Sequence, residues 1–236
     1  MTTTTGICYA YAKNSIDDWS YRYVITFATR DVADTWYRAV TDSVAGGYPR
    51  FAGVKRIASQ FYVHDSNVAL IFETINDPKV ALFLRGQMFF TLINDRDGRI
   101  QSIIPVLNYV DRINGNSYYI RSANDANTYW YYDTGKNVVV AARDKRTSFT
   151  ITNADKNRAL GSVLIGSDDI YITVNNGTNI GVNSTQDFVG SSVNPQPFKL
   201  SALLSGDFQI NFNNDGFAGL GPVLRNPGKG ERWELV

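Results

Sequence analysis

Cysteine and histidine are almost missing from this chain. One cysteine, Cys8, and one histidine, His64, occur in 236 residues. A single cysteine excludes an intrachain disulfide. One thiol and one imidazole cannot supply the soft ligands of a four-coordinate zinc site. No G-x-S-x-G elbow is present, so a serine triad would need His64 and a serine that no motif marks. A Cys8–His64 nucleophile pair has no local support. His64, in FYVHDS, reads as structural, and the sequence predicts a protein without metal, cofactor or catalytic centre.

Excess charge is missing too: 23 basic residues face 22 acidic ones. Residues 1–105 carry 11 Lys/Arg and 10 Asp/Glu, and residues 106–236 carry 12 of each. Neither half has the positive surplus that binding to nucleic-acid phosphates or anionic membranes requires. Long apolar runs are absent, and none approaches the ~18–20 residues of a membrane span. The opening, MTTTTGICYAYAKN, has neither the basic segment nor the apolar run of a secretory leader. The expectation is a cytoplasmic, soluble protein with no nucleic-acid partner and no membrane span, reaching the outside only by leaderless release. The acceptor triplets at Asn176 and Asn183 are then idle.

What is abundant is core material, with 44% hydrophobic and 13% aromatic residues, and asparagine, unevenly spread. Residues 1–105 hold 4 asparagines and residues 106–236 hold 17. Asn tolerates positive φ and caps turns with its own side chain, so the second region is predicted to be dense in tight turns between short strands. The seam falls near Pro105, giving domains 1–105 and 106–236.

In the first region YRYVITFAT (21–29), FAGVKRIASQFYVHD (51–65), NVALIFETI (67–75) and GQMFFTLIND (86–95) read as strands. In DVADTWYRAVTDSVAGG, Val32, Trp36, Ala39, Val40 and Val44 recur at helical spacing. Asp31 is the expected N-cap, and Gly46-Gly47 with Pro49 closes the helix. NDRDGRI (94–100) reads as a hairpin turn rather than a calcium loop, since the closing glutamate is absent. The prediction is an α+β domain: an antiparallel sheet with one helix.

The second region has no helical period and repeats instead. SFTIT (148–152), PFKLS (197–201) and RWELV (232–236) share a large aromatic, a polar residue, then Ile or Leu. The strand openers YYIRS (118–122), VLIGS (163–167) and FQINF (208–212) precede them. Three all-β units suggest threefold pseudo-symmetry. Residues 107–236 thus resemble a β-trefoil of the ricin-B-like and fungal lectin type, although no strict Q-x-W is present. The resemblance implies a non-enzymatic lectin that binds glycans or glycoproteins. The alternative it implies is a trefoil protease inhibitor acting through a surface loop, 153–161 or 191–197.

SANDANTYWYYDTGKN (122–137) carries the site reading. On a strand, Tyr129 and Tyr131 face one way and Trp130 and Tyr132 the other. Sugars offer apolar C–H faces to aromatic rings and hydroxyls to Asp and Asn. The expected carbohydrate site is Asp125, Tyr129, Trp130, Tyr132, Asp133 and Asn137. By the same resemblance the second repeat offers Asp168 or Asp169 with Asn179, and the third Asp215, Phe217 and Asn226; there plain turn chemistry is the reading. SDD (167–169) and AGLGPVLRNPGKGE (218–231) also read as turns. ARDKRTS (142–148) reads as a hairpin tip whose Arg143, Lys145 and Arg146 could meet a sulfated or sialylated glycan. A homodimer through the N-terminal domain would multiply weak sugar sites, since linked sites raise avidity ~10²–10⁴-fold.

Overall fold

Strand alternation organises both halves of the chain. A computed structural model describes residues 6–17, 19–93, 110–183, 187–211 and 220–236. The chain divides into two compact units, Thr2–Asp111 and Arg112–Val236. The expected seam at Pro105 and the expected hairpin at 94–100 lie outside the described residues.

The first unit holds β1 (Cys8–Asn14), β2 (Arg22–Phe27), α1 (Arg30–Asp42), β3 (Val44–Ala45), β4 (Tyr48–Pro49), β5 (Val54–Ala58), β6 (Phe61–His64), a 3-10 helix (Ile71–Asn76), α2 (Pro78–Leu84) and β7 (Met88–Ile93). Its main sheet has the order β5-β6-β1-β2-β7. Cys8, Ala10, Ala12 and Asn14 of β1, and Tyr23, Ile25 and Phe27 of β2, are buried at alternate positions. The sheet is not wholly antiparallel, because β1 and β6 run parallel, Tyr11 beside Phe61 and Asn14 beside His64.

Helix α1 starts two residues earlier than Asp31 suggests. Thr29 is the N-cap, its hydroxyl accepting from the Val32 amide, and Asp31 sits in the first turn, where the helix dipole favours an anion. Gly46 and Gly47 do not end the helix. They occupy left-handed conformations in the turn of the small β3–β4 hairpin. Trp36 is fully buried, with Tyr62, Phe27 and Phe90 ring centroids 5.2, 5.5 and 6.0 Å away.

The stretch 67–75 is not a strand. Asp65 turns the chain directly after β6: its carbonyl accepts from the Val68 and Ala69 amides and its carboxylate from Asn67. Ile71 and Thr74, three residues apart, then share a buried face, and Thr74 accepts from the Trp36 indole at 3.0 Å. Asp77 caps α2 through the Lys79 amide and accepts from the Ser43 hydroxyl at 2.6 Å. A short apolar run suits strand and helix alike, and here the Asp65 turn, the Trp36–Thr74 bond and the Asp77 cap of α2 decide.

A second stripe on α1 is charged and buried. Arg30, Asp34 and Arg38 recur every four residues and are 6%, 1% and 4% exposed. Asp34 pairs with Arg56 at 2.7 Å and with Arg30 at 3.4 Å. Arg56 also pairs with Asp111 at 2.6 Å, and Arg30 donates to the Val110 carbonyl. The stripe thereby ties the end of the unit to its helix.

The second unit holds β8 (Ser117–Ser122), β9 (Tyr129–Asp133), β10 (Val138–Ala142), β11 (Ser148–Asn153), β12 (Asp169–Val174), β13 (Asn179–Val182), β14 (Val189–Ser191), β15 (Phe198–Lys199), α3 (Leu200–Ser205), β16 (Phe208–Ile210), β17 (Gly221–Arg225) and β18 (Trp233–Leu235). It is mostly β, but α3 departs from the all-β expectation. That helix puts Leu200 and Leu203 into the core and ends on left-handed Gly206. Strands β14, β13, β12, β11, β8, β9 and β10 follow one another, and a β10–β14 pairing closes them into a seven-strand barrel. The first and last strands pair, Ile120 opposite Leu235 and Ser122 opposite Trp233. Val138 pairs with Gly190, Val140 with Pro222, and Phe188 with Leu224, so β10, the start of β14 and β17 meet in a triangle.

Two predictions concern these frames. A Cβ on Gly190 would fall 2.4 Å from the Asn137 carbonyl oxygen, at the closing pair of the barrel. Gly190→Ala is expected to lower unfolding stability by about 1–3 kcal/mol, read from the urea midpoint of the second unit. An unchanged midpoint overturns the closure. Asp34→Ala leaves the buried Arg30 and Arg56 without their shared carboxylate and is expected to cost about 3–5 kcal/mol by denaturation. A cost near zero means the stripe is solvated.

Candidate functional site

The connection between β8 and β9 builds a small rigid platform. The buried Ser122 hydroxyl accepts from the Asn124 and Asp125 amides at 3.2 and 3.3 Å. Asp125 then works as a turn clamp. Its Oδ1 accepts from the Asn127 amide at 3.1 Å, and its Oδ2 from the Thr128 hydroxyl at 2.8 Å. Arg143, from the turn after β10, reaches the same Oδ2 with Nη2 at 2.9 Å and Nε at 3.2 Å. The Asn127 amide foremost, then the Thr128 hydroxyl and Arg143, hold the Asp125 carboxyl below the usual carboxylate range.

A cleft of about 540 Å³ opens beside this platform. Asn124, Asp125, Arg143, Asp144 and Glu231 supply its polar edge, and Ile210, Leu220, Ala141 and Ala142 its apolar lining. The pairing of β8 with β18 brings Glu231 here from more than a hundred residues away, its carboxylate 3.5 Å from the Ser122 hydroxyl. A second, more open cleft of about 640 Å³ lies between Asp187, Gln209, Arg225 and Asn226.

The expected site residues do not gather in one place. Asp125 lines the cleft. Trp130 and Tyr132, 0% and 6% exposed, face inward, and a saccharide has no access to their rings; this corrects their assignment to the sugar. Trp130 meets Phe208, Trp233 and Phe149 edge-on at 5.5, 5.6 and 6.1 Å. Asp133 and Asn137 sit in the β9–β10 turn, at the other end of β9 from Asp125, roughly 13 Å along the strand. There Asp133 accepts from the Gly135 and Lys136 amides, and Asn137 takes a left-handed conformation and accepts from the Tyr132 hydroxyl. Both are turn residues. Asp168 is one as well, capping the Ile165 amide, while Asp169 pairs with Lys199. Asp215 and Phe217 lie outside the described residues; Asn226 lines the second cleft.

Tyr129 and Tyr131 take the outward face, and both already carry a cation. The Arg146 guanidinium lies 4.4 Å from the Tyr119 ring centroid and 5.6 Å from that of Tyr129. The Lys145 ammonium lies 5.5 Å from that of Tyr131. Such contacts contribute about 0.5–1 kcal/mol each at exposed sites. The turn is fixed by Thr147, whose amide donates to the Trp130 carbonyl and whose hydroxyl accepts from the Tyr132 amide. Glu231, Ser122 and Thr128 escape a local reading because only the β8–β18 pairing and the turn fold assemble them. The closing RWELV strand was the one signal that pointed there.

In the first unit, His64 is fully buried and donates from Nε2 to the Tyr21 carbonyl at 2.8 Å. Cys8 is buried, and burial foremost pushes its thiol up, with Asp34 adding to it. His64 pairs with Asn14, at the other end of β1 from Cys8, so the two stand roughly 20 Å apart. Among the described residues no group of three or more His, Cys, Asp or Glu is placed to hold a metal ion, and no helix is long and apolar enough to cross a membrane.

A depressed carboxyl contributes stability that is complete above its unfolded value of about 3.9 and is lost as pH falls through the lower folded value. In an NMR carboxyl titration Asp125 is expected to titrate below that value, and Arg143→Ala is expected to raise its midpoint. An Asp125 midpoint at or above about 3.9 removes the clamp. No protein-family model matches the chain, and no curated protein shows significant similarity to it, so the functional reading rests on this geometry.

Proposed function

We propose that this chain is a non-enzymatic carbohydrate-binding protein, with a β-trefoil as its second unit and a glycan site in the cleft beside Asp125. Support for the trefoil comes from strand pairing. Strand β8 pairs with β11, β12 with β15, and Phe208 of β16 with Glu231 just ahead of β18, so each repeat closes its first strand on its last. Strands β8 and β18 join the ends of the unit, and the β10, β14 and β17 contacts supply one inner strand per repeat. Phe149, Phe198 and Trp233, the aromatics of the three sequence repeats, are all buried.

The observation that carries the function is the cleft itself. Donors and acceptors of Asn124, Asp125, Arg143, Asp144 and Glu231 surround an apolar lining that includes Ile210 and Leu220. A saccharide presents that same alternation of hydroxyl rim and C–H face. The apolar plate is aliphatic, since the tyrosines of β9 are turned elsewhere. A second reading, a protease inhibitor, draws on the loop 191–197, where Val193 is 93% exposed beside Pro195 and Pro197.

A glycan array on the whole chain is expected to give hits. Calorimetry with the best hit should weaken about fivefold or more in Asn124→Ala and Glu231→Gln, each a loss of about 1 kcal/mol. Lys156→Ala, at a distant turn, should bind like the parent. A silent array from a folded protein removes the lectin reading. Nanomolar inhibition of papain-like or serine proteases that disappears in Val193→Asp installs the second reading instead.

A further inference from the structure

We infer that the glycan accepted by this protein is acidic, and that Arg146 and Lys145 receive its sulfate or carboxylate group. The inference rests on the glycan reading of the neighbouring cleft and adds the class of sugar.

Three observations carry it. First, the cations are free of protein anions. Arg143 is neutralised by Asp125, and Arg121 by Glu234 at 2.9 Å, whereas Lys145 and Arg146 have no carboxylate or hydrogen-bond partner among the described residues. Both are exposed. Second, Arg146 is pre-oriented. Tyr119 and Tyr129 stand edge to face, 6.5 Å apart at 85°, and the guanidinium lies against both rings. The two ring contacts restrict where the guanidinium can lie, and no protein acceptor among the described residues takes its N–H donors. A planar fork held in this way meets a sulfate or carboxylate with less loss of side-chain freedom than a free arginine would. Third, the position adjoins the cleft. Arg143 and Asp144 line the cleft, and Lys145 and Arg146 follow them in one turn, so an oligosaccharide seated on Asn124 and Glu231 can extend over the tyrosine face. Neighbouring Asp125, Asp144 and Glu234 make the surroundings mixed in charge, which disfavours a long uniform polyanion and suits a single acidic substituent.

The test measures binding of a sulfated tetrasaccharide and a sialylated trisaccharide, each beside its desulfated or asialo counterpart, in low and high salt. The expected result is about fivefold tighter binding of at least one acidic member at low salt, a preference that salt erases. Which acidic probe wins assigns sulfate or carboxylate. In Arg146→Gln/Lys145→Gln the acidic probe should fall to the affinity of its neutral counterpart while the neutral probe is unchanged. Equal binding of acidic and neutral probes by the parent protein overturns this inference and leaves the glycan reading standing. Binding of none of the four saccharides overturns both. An acidic preference that survives in the double variant places the anion elsewhere and overturns the assignment. Arg146-dependent binding of a single-stranded oligonucleotide as tight as that of the acidic sugar overturns the saccharide class.

Discussion

The period of two in strand β9 is the constraint on which the second unit turns. In YWYYD, Trp130 and Tyr132 point inward and Tyr129 and Tyr131 outward. The inward indole meets Phe149, Phe208 and Trp233, which come from three separate stretches of chain, and so holds strands distant in sequence together. Large aromatics dominate core energetics through the area they bury. The same backbone, one residue on, presents tyrosines on which Arg146 and Lys145 rest. A slip of one residue in register would exchange these roles, putting tyrosine hydroxyls in the core and tryptophan at the surface. Core and surface chemistry are therefore coupled through a single register, set by five β9–β10 pairs and held by Thr147.

The first unit meets a different problem, a helix whose two faces are both buried. Trp36 and Val40 settle one face by packing. The other carries Arg30, Asp34 and Arg38, and buried charges are tolerated only with partners. Arg56, Asp34 and Asp111 form a chain of short ion pairs, and Arg30 adds a bond to the backbone at Val110. Such a network adds little net stability over an apolar stripe of the same shape, yet it fails badly if one member is lost. It also specifies which residues end the unit, something a greasy contact would do with less precision.

Much of this was legible from periodicity. Strands β2, β7, β9 and β11, and helix α1, follow from alternation, β-branched residues and 3.6-residue spacing, whereas 51–65, expected as one strand, folds back at Ser59 and Gln60 into the antiparallel β5–β6 pair. The errors have local physical causes. Residues 67–75 satisfied a strand pattern, but Asp65 turns the chain before them, Asp77 starts a new helix after them, and Trp36 seeks a hydrogen-bond acceptor at Thr74. Strand β1 was missed because its small alanines look like a poor strand until two neighbours flank it. Nothing in the sequence marked the charged stripe on α1 as buried, because sequence carries no record of what lies over it. Helix α3, at six residues, is too short for a period to show. At the candidate site, the sequence marked Asp125 and the cations of 143–146 but could not choose which face of β9 turned inward. Nor could it know that Asp133 and Asn137 were occupied as turn residues.

By itself the sequence determined the kind of protein this is: near-neutral, poor in soft metal ligands, with an asparagine-rich, strand-built second half whose aromatics recur. Those properties are local, and composition and short spacing encode them directly. Only the tertiary structure decided which residues share a site. Glu231 reaches Ser122, Gly190 reaches Asn137 and Arg146 reaches Tyr119 through pairings between distant strands, and the free energy that selects such pairings is spread over the whole barrel rather than written in any one segment.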